Sequence, residues 1–181
     1  MDELARHVTA AVEGDALAAA ALVRATQSDV WRLCASLVDR GSADDLTQET
    51  YLRAFGALHR FEGRSTLRTW LLSIARRVCA DALRSRRRRR LTLVPDDEVL
   101  EALDDSPGAD EVGESAVVGD LLARLSPERR EAFVLTQLLG LPYAEAAEVA
   151  GCPVGTIRSR VARAREDLVD GLREDGLRRA E

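Results

Sequence analysis

Arginine is the residue of this sequence with the clearest chemistry, because its copies are concentrated in two short segments. Residues 152–166 read CPVGTIRSRVARARE, with four arginines in eight positions and no acid before Glu166. Residues 62–90 hold 10 arginines against 2 acids, whereas the whole chain carries 31 acids against 26 bases, none of them lysine. A guanidinium donates paired hydrogen bonds to phosphates and to guanine. The two basic segments therefore indicate two nucleic-acid-binding surfaces in an acidic protein.

Catalytic and metal chemistry have much weaker support. The three cysteines are widely separated and form no C-x-x-C pair, and only two histidines are present (Cys34, Cys79, Cys152, His7 and His59). No residues have the spacing of metal ligands, and no nucleophile is paired with a base. This pattern therefore predicts no metal site, no cofactor and no enzymatic activity. The start MDELARHV lacks the positive charge of a signal peptide, and the early apolar run at 16–23 is too short to cross a bilayer. We therefore expect a cytoplasmic protein.

The elements that must position these arginines are helices on either side of a linker. Aromatic residues make up only 4% of the chain, and Ala, Leu, Arg and Glu dominate, which favours helix over sheet. Residues 91–128 hold 11 acids and one arginine, and PDDEVLEALDDSPGADEVGES (95–115) adds Pro and Gly to that like charge. The sequence predicts an all-α protein of two small helical domains, 1–90 and 117–172, joined by a flexible acidic linker at 91–116 and followed by a tail at 173–181.

Periodicity predicts four helices in the first domain, at 3–25, 28–40, 43–58 and 66–88. Ser65 is placed to cap the fourth. That helix has an apolar stripe at helical spacing, made of Leu67, Trp70, Leu71, Ile74 and Val78. Four arginines lie off the stripe and give the helix a basic side: Arg68, Arg76, Arg77 and Arg84.

The second domain has the pattern of a helix-turn-helix. Ser126-Pro127-Glu128 predicts a helix start with a capping hydroxyl, and that helix runs to Leu139. A short helix at 143–150 ends at Gly151, and Pro153 opens a last helix to about 172. On a helical wheel this last helix buries Ile157, Val161, Ala164 and Leu168 and turns Gly155, Ser159, Ala162 and Glu166 outward. Small outward residues between flanking arginines suit a helix that enters a DNA major groove.

These segments resemble the bacterial sigma-70 family. ADDLTQETYLRAFGALHR (43–60) and FEGRSTLRTWLLSIARRVCADALR (61–84) resemble its region 2, and LSPERREAFVLTQLLGLPYAEAAEVAGCPVGTIRSRVARARED (125–167) resembles its region 4. Regions 1.1 and 3 of the family have no counterpart in this sequence, and an acidic linker stands in their place. This layout is similar to that of the extracytoplasmic-function (ECF, group 4) sigma factors. Within that group, the phrases TQSDVW, RTWLLSIAR and TQLLGLPYAEAA are nearest to the actinobacterial sigma-factor-C type.

The resemblance implies a role for each segment of region 2. The DDLTQE helix would dock on the β′ clamp helices of RNA polymerase core through Asp45, Gln48, Glu49 and Arg53. The loop at 61–66 and the following helix would capture and melt the −10 promoter element. The residues implied there are Arg64, Ser65, Thr66, Arg68, Arg76, Arg77 and Arg84.

Region 4 of the family binds the β flap and reads the −35 element. By match, the DNA-facing residues are Thr156, Arg158, Ser159, Arg160, Arg163 and Arg165. The wheel places Arg158 and Arg163 nearer the outward face, as base readers, and Arg160 and Arg165 nearer the apolar stripe, as phosphate contacts. The expected partners are core polymerase and promoter DNA; whether an anti-sigma factor also binds stays open. The alternative is a stand-alone helix-turn-helix regulator that binds operator DNA, which would leave DDLTQE and the basic block at 62–90 unexplained.

Overall fold

The computed structural model describes residues 3–93 and 114–178, and the described residues are helical with short connections. An N-terminal module contains α1 (Glu3–Val12), α2 (Ala16–Leu37), α3 (Ala43–Ala57), a 3-10 turn (Leu58–Arg60) and α4 (Leu67–Leu93). A C-terminal module contains α5 (Glu114–Ala123), α6 (Pro127–Phe133), a π-helical turn (Val134–Leu138), α7 (Tyr143–Ala150) and α8 (Val154–Arg178). The all-α prediction with two helical modules is confirmed.

The first helix break was predicted at the wrong place. A single helix was expected over 3–25, but α1 ends at Val12 and α2 begins at Ala16. Gly14 adopts a φ of 94°, which a residue with a side chain rarely tolerates. Asp15 then caps α2, accepting hydrogen bonds from the backbone N–H of Leu17 (2.8 Å) and of Ala18 (3.2 Å). The apolar residues recur at helical spacing throughout 3–25, so the sequence analysis missed the end of α1 and the start of α2 at Gly14 and Asp15.

The cap gives a prediction for stability. Asp15→Ala leaves two N–H groups of α2 without a side-chain acceptor and should destabilise the protein by about 0.5–2 kcal/mol. Denaturant unfolding followed by circular dichroism measures the change. Glu13→Ala, which removes an exposed acid from the same connection, is the control and should leave the midpoint unchanged. Equal midpoints for the two variants would show that the cap contributes nothing.

Helix α4 is longer than predicted and is capped one residue later. It reaches Leu93 rather than residue 88, and Thr66, not Ser65, accepts the cap hydrogen bond from the Thr69 N–H (3.1 Å). The predicted apolar stripe is confirmed, since Leu67, Leu71, Ile74 and Val78 are buried in one cluster with half-buried Trp70 against it. The predicted linker at 91–116 lies mostly outside the described residues, but its first three residues belong to α4 and its last three to α5.

The helix-turn-helix prediction is confirmed by α7 and α8. Gly151, with a φ of 65°, ends α7, and α8 starts at Val154. Ser126 occupies the N-cap position of α6, yet its hydroxyl makes no cap hydrogen bond, in contrast to the expectation. The predicted helix to Leu139 continues beyond α6 as the π-helical turn. The last helix is longer than predicted, because α8 extends to Arg178 rather than ending near residue 172.

The two modules pack directly against each other. Helix α4 contacts α7, and α2 contacts α6. A second buried face of α4, formed by Leu72, Ala75 and Cys79, joins an apolar cluster that includes Leu135 and Ala146 of the C-terminal module. The sequence predicted only one apolar stripe on α4, so this contact was not expected.

Candidate nucleic-acid interface

Helix α8 has the buried side and the outward side that the wheel predicted. Its buried side holds Ile157, Val161 and Ala164, with exposed fractions of 1% or less, and Leu168 packs against the same cluster. The residues turned to solvent on the opposite side are Gly155, Ser159, Ala162 and Glu166. Small side chains there let the helix backbone approach the floor of a major groove.

The arginines of α8 divide into two pairs. Arg158 and Arg163 are exposed, and neither makes a hydrogen bond or ion pair with the residues that the structure describes. Arg160 is half-buried, with Nη1 3.8 Å from Cys152 Sγ, and Arg165 donates to Gln137 Oε1 at 2.8 Å. The first pair keeps its full donor set for a ligand, whereas the second is partly engaged within the module.

Two polar residues at the start of α8 occupy different environments. Thr156 is half-buried, and its carbonyl accepts from the Ser159 hydroxyl at 3.0 Å. Ser159 itself is exposed on the outward face. Of the two, Ser159 is the one placed to meet a ligand directly.

The structure does not bring the seven candidate residues of the −10 set onto one open surface. Arg64 is 84% exposed and pairs with Glu62 at 2.8 Å, and Ser65 beside it is half-buried. Arg77 is exposed, and Arg84 pairs with Asp81 at 2.5 Å.

The other three residues of that set are engaged at the contact between modules. Thr66 lies 3.4 Å from Glu145 Oε2, and Arg68 donates to Asp29 at 2.6 Å and to the carbonyl of Leu139 at 2.5 Å. Arg76 forms an ion pair with Glu131. Arg68 and Arg76 lie off the apolar stripe of α4, as predicted, but acids and a carbonyl from distant parts of the chain accept hydrogen bonds from them.

The candidate polymerase-docking residues lie along the exposed side of α3. Asp45, Gln48 and Arg53 are exposed, and Glu49 is half-buried. Arg53 donates to Glu49 Oε1 and to Asp81 Oδ2, each at 2.7 Å. Hydrogen bonds from Arg53 and then Arg84 hold the pKa of the Asp81 carboxyl below its usual value. Asp81 thus links the exposed side of α3 to the basic helix α4.

Sequence reasoning missed several residues that this geometry brings in: Thr69, Asp81, Glu131, Gln137 and Glu145. Thr69 was detectable, since a hydroxyl three residues after Thr66 shares a helix face with it. The partners of Glu131, Gln137 and Glu145 lie 28 to 79 residues away in the chain, and Arg53 lies 28 residues from Asp81, so no local spacing points to these contacts.

Comparison with known proteins identifies the family. The model of sigma-70 region 2 matches residues 22–89, and that of sigma-70 region 4 matches residues 115–168. The ECF RNA polymerase sigma factor SigC of Mycobacterium tuberculosis is 53% identical over 168 residues, which cover 92% of this chain and 90% of that protein. The chain is an ECF sigma factor of the sigma-70 family.

Solved structures agree with this assignment. The sigma factor is similar to CnrH, solved in complex with the cytosolic domain of CnrY, with a TM-score of 0.74, 28% identity, and coverage of 96% of this chain and 99% of that one. It is also similar to RpoE of Bartonella quintana, solved with the anti-sigma factor NepR, with a TM-score of 0.70, 30% identity, and coverage of 83% and 94%. The sigma-C placement made from sequence phrases is confirmed.

Two further observations concern catalysis and membrane insertion. The sigma-70 family is not known for catalysis. None of the helices within 3–93 and 114–178 combines the length and apolar character that a membrane crossing requires.

Proposed function

We propose that this sigma factor directs core RNA polymerase to its promoters through three separate surfaces. The exposed side of α3 docks on the β′ clamp helices through Asp45, Gln48, Glu49 and Arg53. The loop before α4 and the basic side of α4 bind the −10 element, and α8 reads the −35 element while its module contacts the β flap. The sigma factor contributes specificity and no catalysis of its own, and it acts in the cytoplasm.

The observation that carries this proposal is the exposed face of α8. Arg158 and Arg163 flank a strip of small residues and have no described partner, so their donors are available for base edges and phosphates. Arg160 and Arg165 lie closer to the buried side of α8, and in this proposal they contact DNA phosphates. Ser159 and Thr156 complete the −35 set at the start of the helix.

For the −10 element, the proposal uses two groups of residues. Arg64, Ser65 and Arg77, with Arg84 farther along α4, are reachable from solvent. Thr66 is also exposed, with its hydroxyl 3.4 Å from Glu145, whereas the guanidinium groups of Arg68 and Arg76 donate hydrogen bonds to other parts of the chain. A flipped base needs polar partners to offset an unstacking free energy of a few kcal/mol, and Arg64, Ser65 and Thr66 supply them.

Partners beyond the polymerase follow from the solved relatives. RpoE of Bartonella quintana was solved with an anti-sigma factor, and we extend that class of partner to this chain as part of the proposal. An anti-sigma factor would have to cover or hold apart the same surfaces of α3, α4 and α8.

An electrophoretic shift assay with and without core polymerase tests the proposed function against the alternative of an operator-binding regulator. The sigma factor should shift its promoter fragment only when core polymerase is present, because only the holoenzyme engages both elements. An equal shift by the protein alone, on the same fragment and at the same concentration, would favour the regulator.

A further inference from the structure

Arg165, on one flank of α8, is held by a side chain from another segment of the same module. Its Nη2 donates a hydrogen bond to Gln137 Oε1 at 2.8 Å, although the two residues are 28 positions apart in the chain. Both side chains are exposed. The contact therefore lies at the surface that the proposed function turns towards DNA, where Arg165 is assigned to a phosphate.

A chain of hydrogen bonds that ends in the protein interior fixes the orientation of the Gln137 amide. Gln137 Nε2 donates to Thr136 Oγ1 at 3.0 Å, and Thr136, which is 8% exposed, donates its hydroxyl to the carbonyl oxygen of Ala132 at 2.7 Å. Because the one hydroxyl proton is used on Ala132, the hydroxyl oxygen acts towards Gln137 as an acceptor. A guanidinium can only donate, so the amide must present its oxygen to Arg165.

The backbone that carries Gln137 is the π-helical turn Val134–Leu138. The Leu139 N–H donates to the carbonyl oxygen of Val134, five residues earlier, at 2.9 Å. An α-helix closes its hydrogen bonds over four residues, so the turn accommodates one more residue per ring and changes the direction of the side chains within it. Turns of this kind frequently occur at functional sites. The direction of Gln137 towards α8 thus depends on a local departure from α-helical geometry.

The contact with Gln137 leaves Arg165 able to bind an anion. A guanidinium has five N–H donors, and its other donors can form paired hydrogen bonds with a phosphate. A mobile arginine side chain loses conformational freedom when it binds, whereas one that is already held loses less. A hydrogen bond from outside the recognition helix can therefore favour phosphate binding without any contact between Gln137 and DNA.

We propose that Gln137 is a positioning residue for −35 recognition, holding the Arg165 guanidinium in the orientation that binds a DNA phosphate beside α8. The inference rests on the proposed function, which assigns α8 to the −35 element. It adds a residue of the π-helical turn, outside the recognition helix, to the residues on which promoter affinity depends.

The test is a double-mutant cycle of Gln137→Met, Arg165→Ala and the two combined, in holoenzyme reconstituted from core polymerase and the full chain. Methionine is similar in length to glutamine but has no amide oxygen to accept from Arg165. Gln27→Met makes the same change at an exposed position of α2 and is the matched control. Fluorescence anisotropy at several salt concentrations measures binding to a promoter fragment recovered by run-off transcription, and to the same fragment with a scrambled −35 sequence.

Gln137→Met should weaken binding about threefold to tenfold, on the order of one neutral hydrogen bond. The factor should be similar on native and scrambled −35 sequences, because phosphates are common to both. Arg165→Ala should weaken binding further and reduce the slope of log affinity against log salt by about one. In the Arg165→Ala background, Gln137→Met should have no additional effect, since it acts through Arg165. The control should match the wild type.

Three results would overturn the proposal. A loss for Gln137→Met that persists undiminished in the Arg165→Ala background would show that Gln137 contacts DNA itself or only supports the module. An unchanged affinity for Gln137→Met, or a loss confined to the native −35 sequence, would also contradict it. All three leave the proposed function standing; that function fails instead if the wild-type holoenzyme does not prefer the native −35 sequence.

The positioning itself is measurable in the free protein, without DNA or polymerase. Nitrogen-15 relaxation gives an order parameter for the Nε–Hε bond of Arg165, whose signal is identified by its absence from the spectrum of Arg165→Ala. The order parameter should fall in Gln137→Met, while that of exposed Arg158 should be the same in both proteins. An Arg165 that is equally ordered with and without the Gln137 amide would overturn the proposal, even if the variant binds DNA less tightly.

Discussion

Changing Gln48 and Glu49 together to alanine should abolish co-purification of this sigma factor with the β′ subunit. Both side chains lie along the open side of α3, where an amide and a carboxylate can each hydrogen-bond a partner. Hydrogen bonds to charged groups contribute about 1.5–3 kcal/mol each and neutral ones about 0.5–1.5 kcal/mol, so losing both weakens binding by about 100-fold. Loss of Glu49 also frees Arg53 from one of its two acids.

The matched control for this variant is Glu13→Ala with Gln27→Ala. It removes the same two side-chain types from exposed positions of the same module, away from α3. Pull-down with tagged β′ compares the variants, and far-ultraviolet circular dichroism confirms equal helicity. Retention of β′ by the α3 variant at wild-type level would contradict the proposed docking surface.

The second large effect is expected at Arg158. Arg158→Ala should reduce transcription from promoters with the native −35 sequence by about 5- to 150-fold, corresponding to about 1–3 kcal/mol for a lost bidentate base contact. The loss is attributable to DNA, because Arg158 is exposed and forms no hydrogen bond or ion pair within the described part of the chain that the substitution could break. Alanine is also a good helix former, so α8 should persist.

Specificity is tested by comparing native and scrambled −35 sequences. Arg158→Lys keeps the charge but loses the planar fork, and should behave like the alanine variant on the native sequence. Arg173→Ala, which removes an exposed arginine farther along α8, should have little effect on either sequence. An equal loss for Arg158→Ala on native and scrambled sequences would mark Arg158 as a phosphate contact instead.

Much of this architecture was predictable because its signals are local. The helix-turn-helix was correctly placed by Gly151, Pro153 and the buried spacing of Ile157 and Val161. A glycine stop and a 3.6-residue period act over one or two turns, so the sequence alone displays them. The same reasoning identified the open face of α8, since a wheel that buries one side must expose the other.

The features that escaped prediction depend on distant residues. Leu72 and Ala75 are apolar positions on a second face of α4, and only the arrival of α7 makes that face buried. The ion pair of Arg76 was not predicted, because Glu131 lies 55 residues away and no residue near Arg76 in the sequence indicates it. The break at Gly14-Asp15 was a different failure, in which a local signal was present but an uninterrupted apolar period outweighed it.

The central claim is that this sigma factor gives core RNA polymerase its promoter specificity, and run-off transcription on genomic fragments tests it most directly. Core polymerase freed of other sigma factors is combined with the purified chain, and transcript starts are mapped. The account predicts discrete transcripts, absent with core alone, whose start sites share one −35 and one −10 sequence. The absence of any transcript beyond those of core alone, with polymerase that is active with another sigma factor, would contradict it.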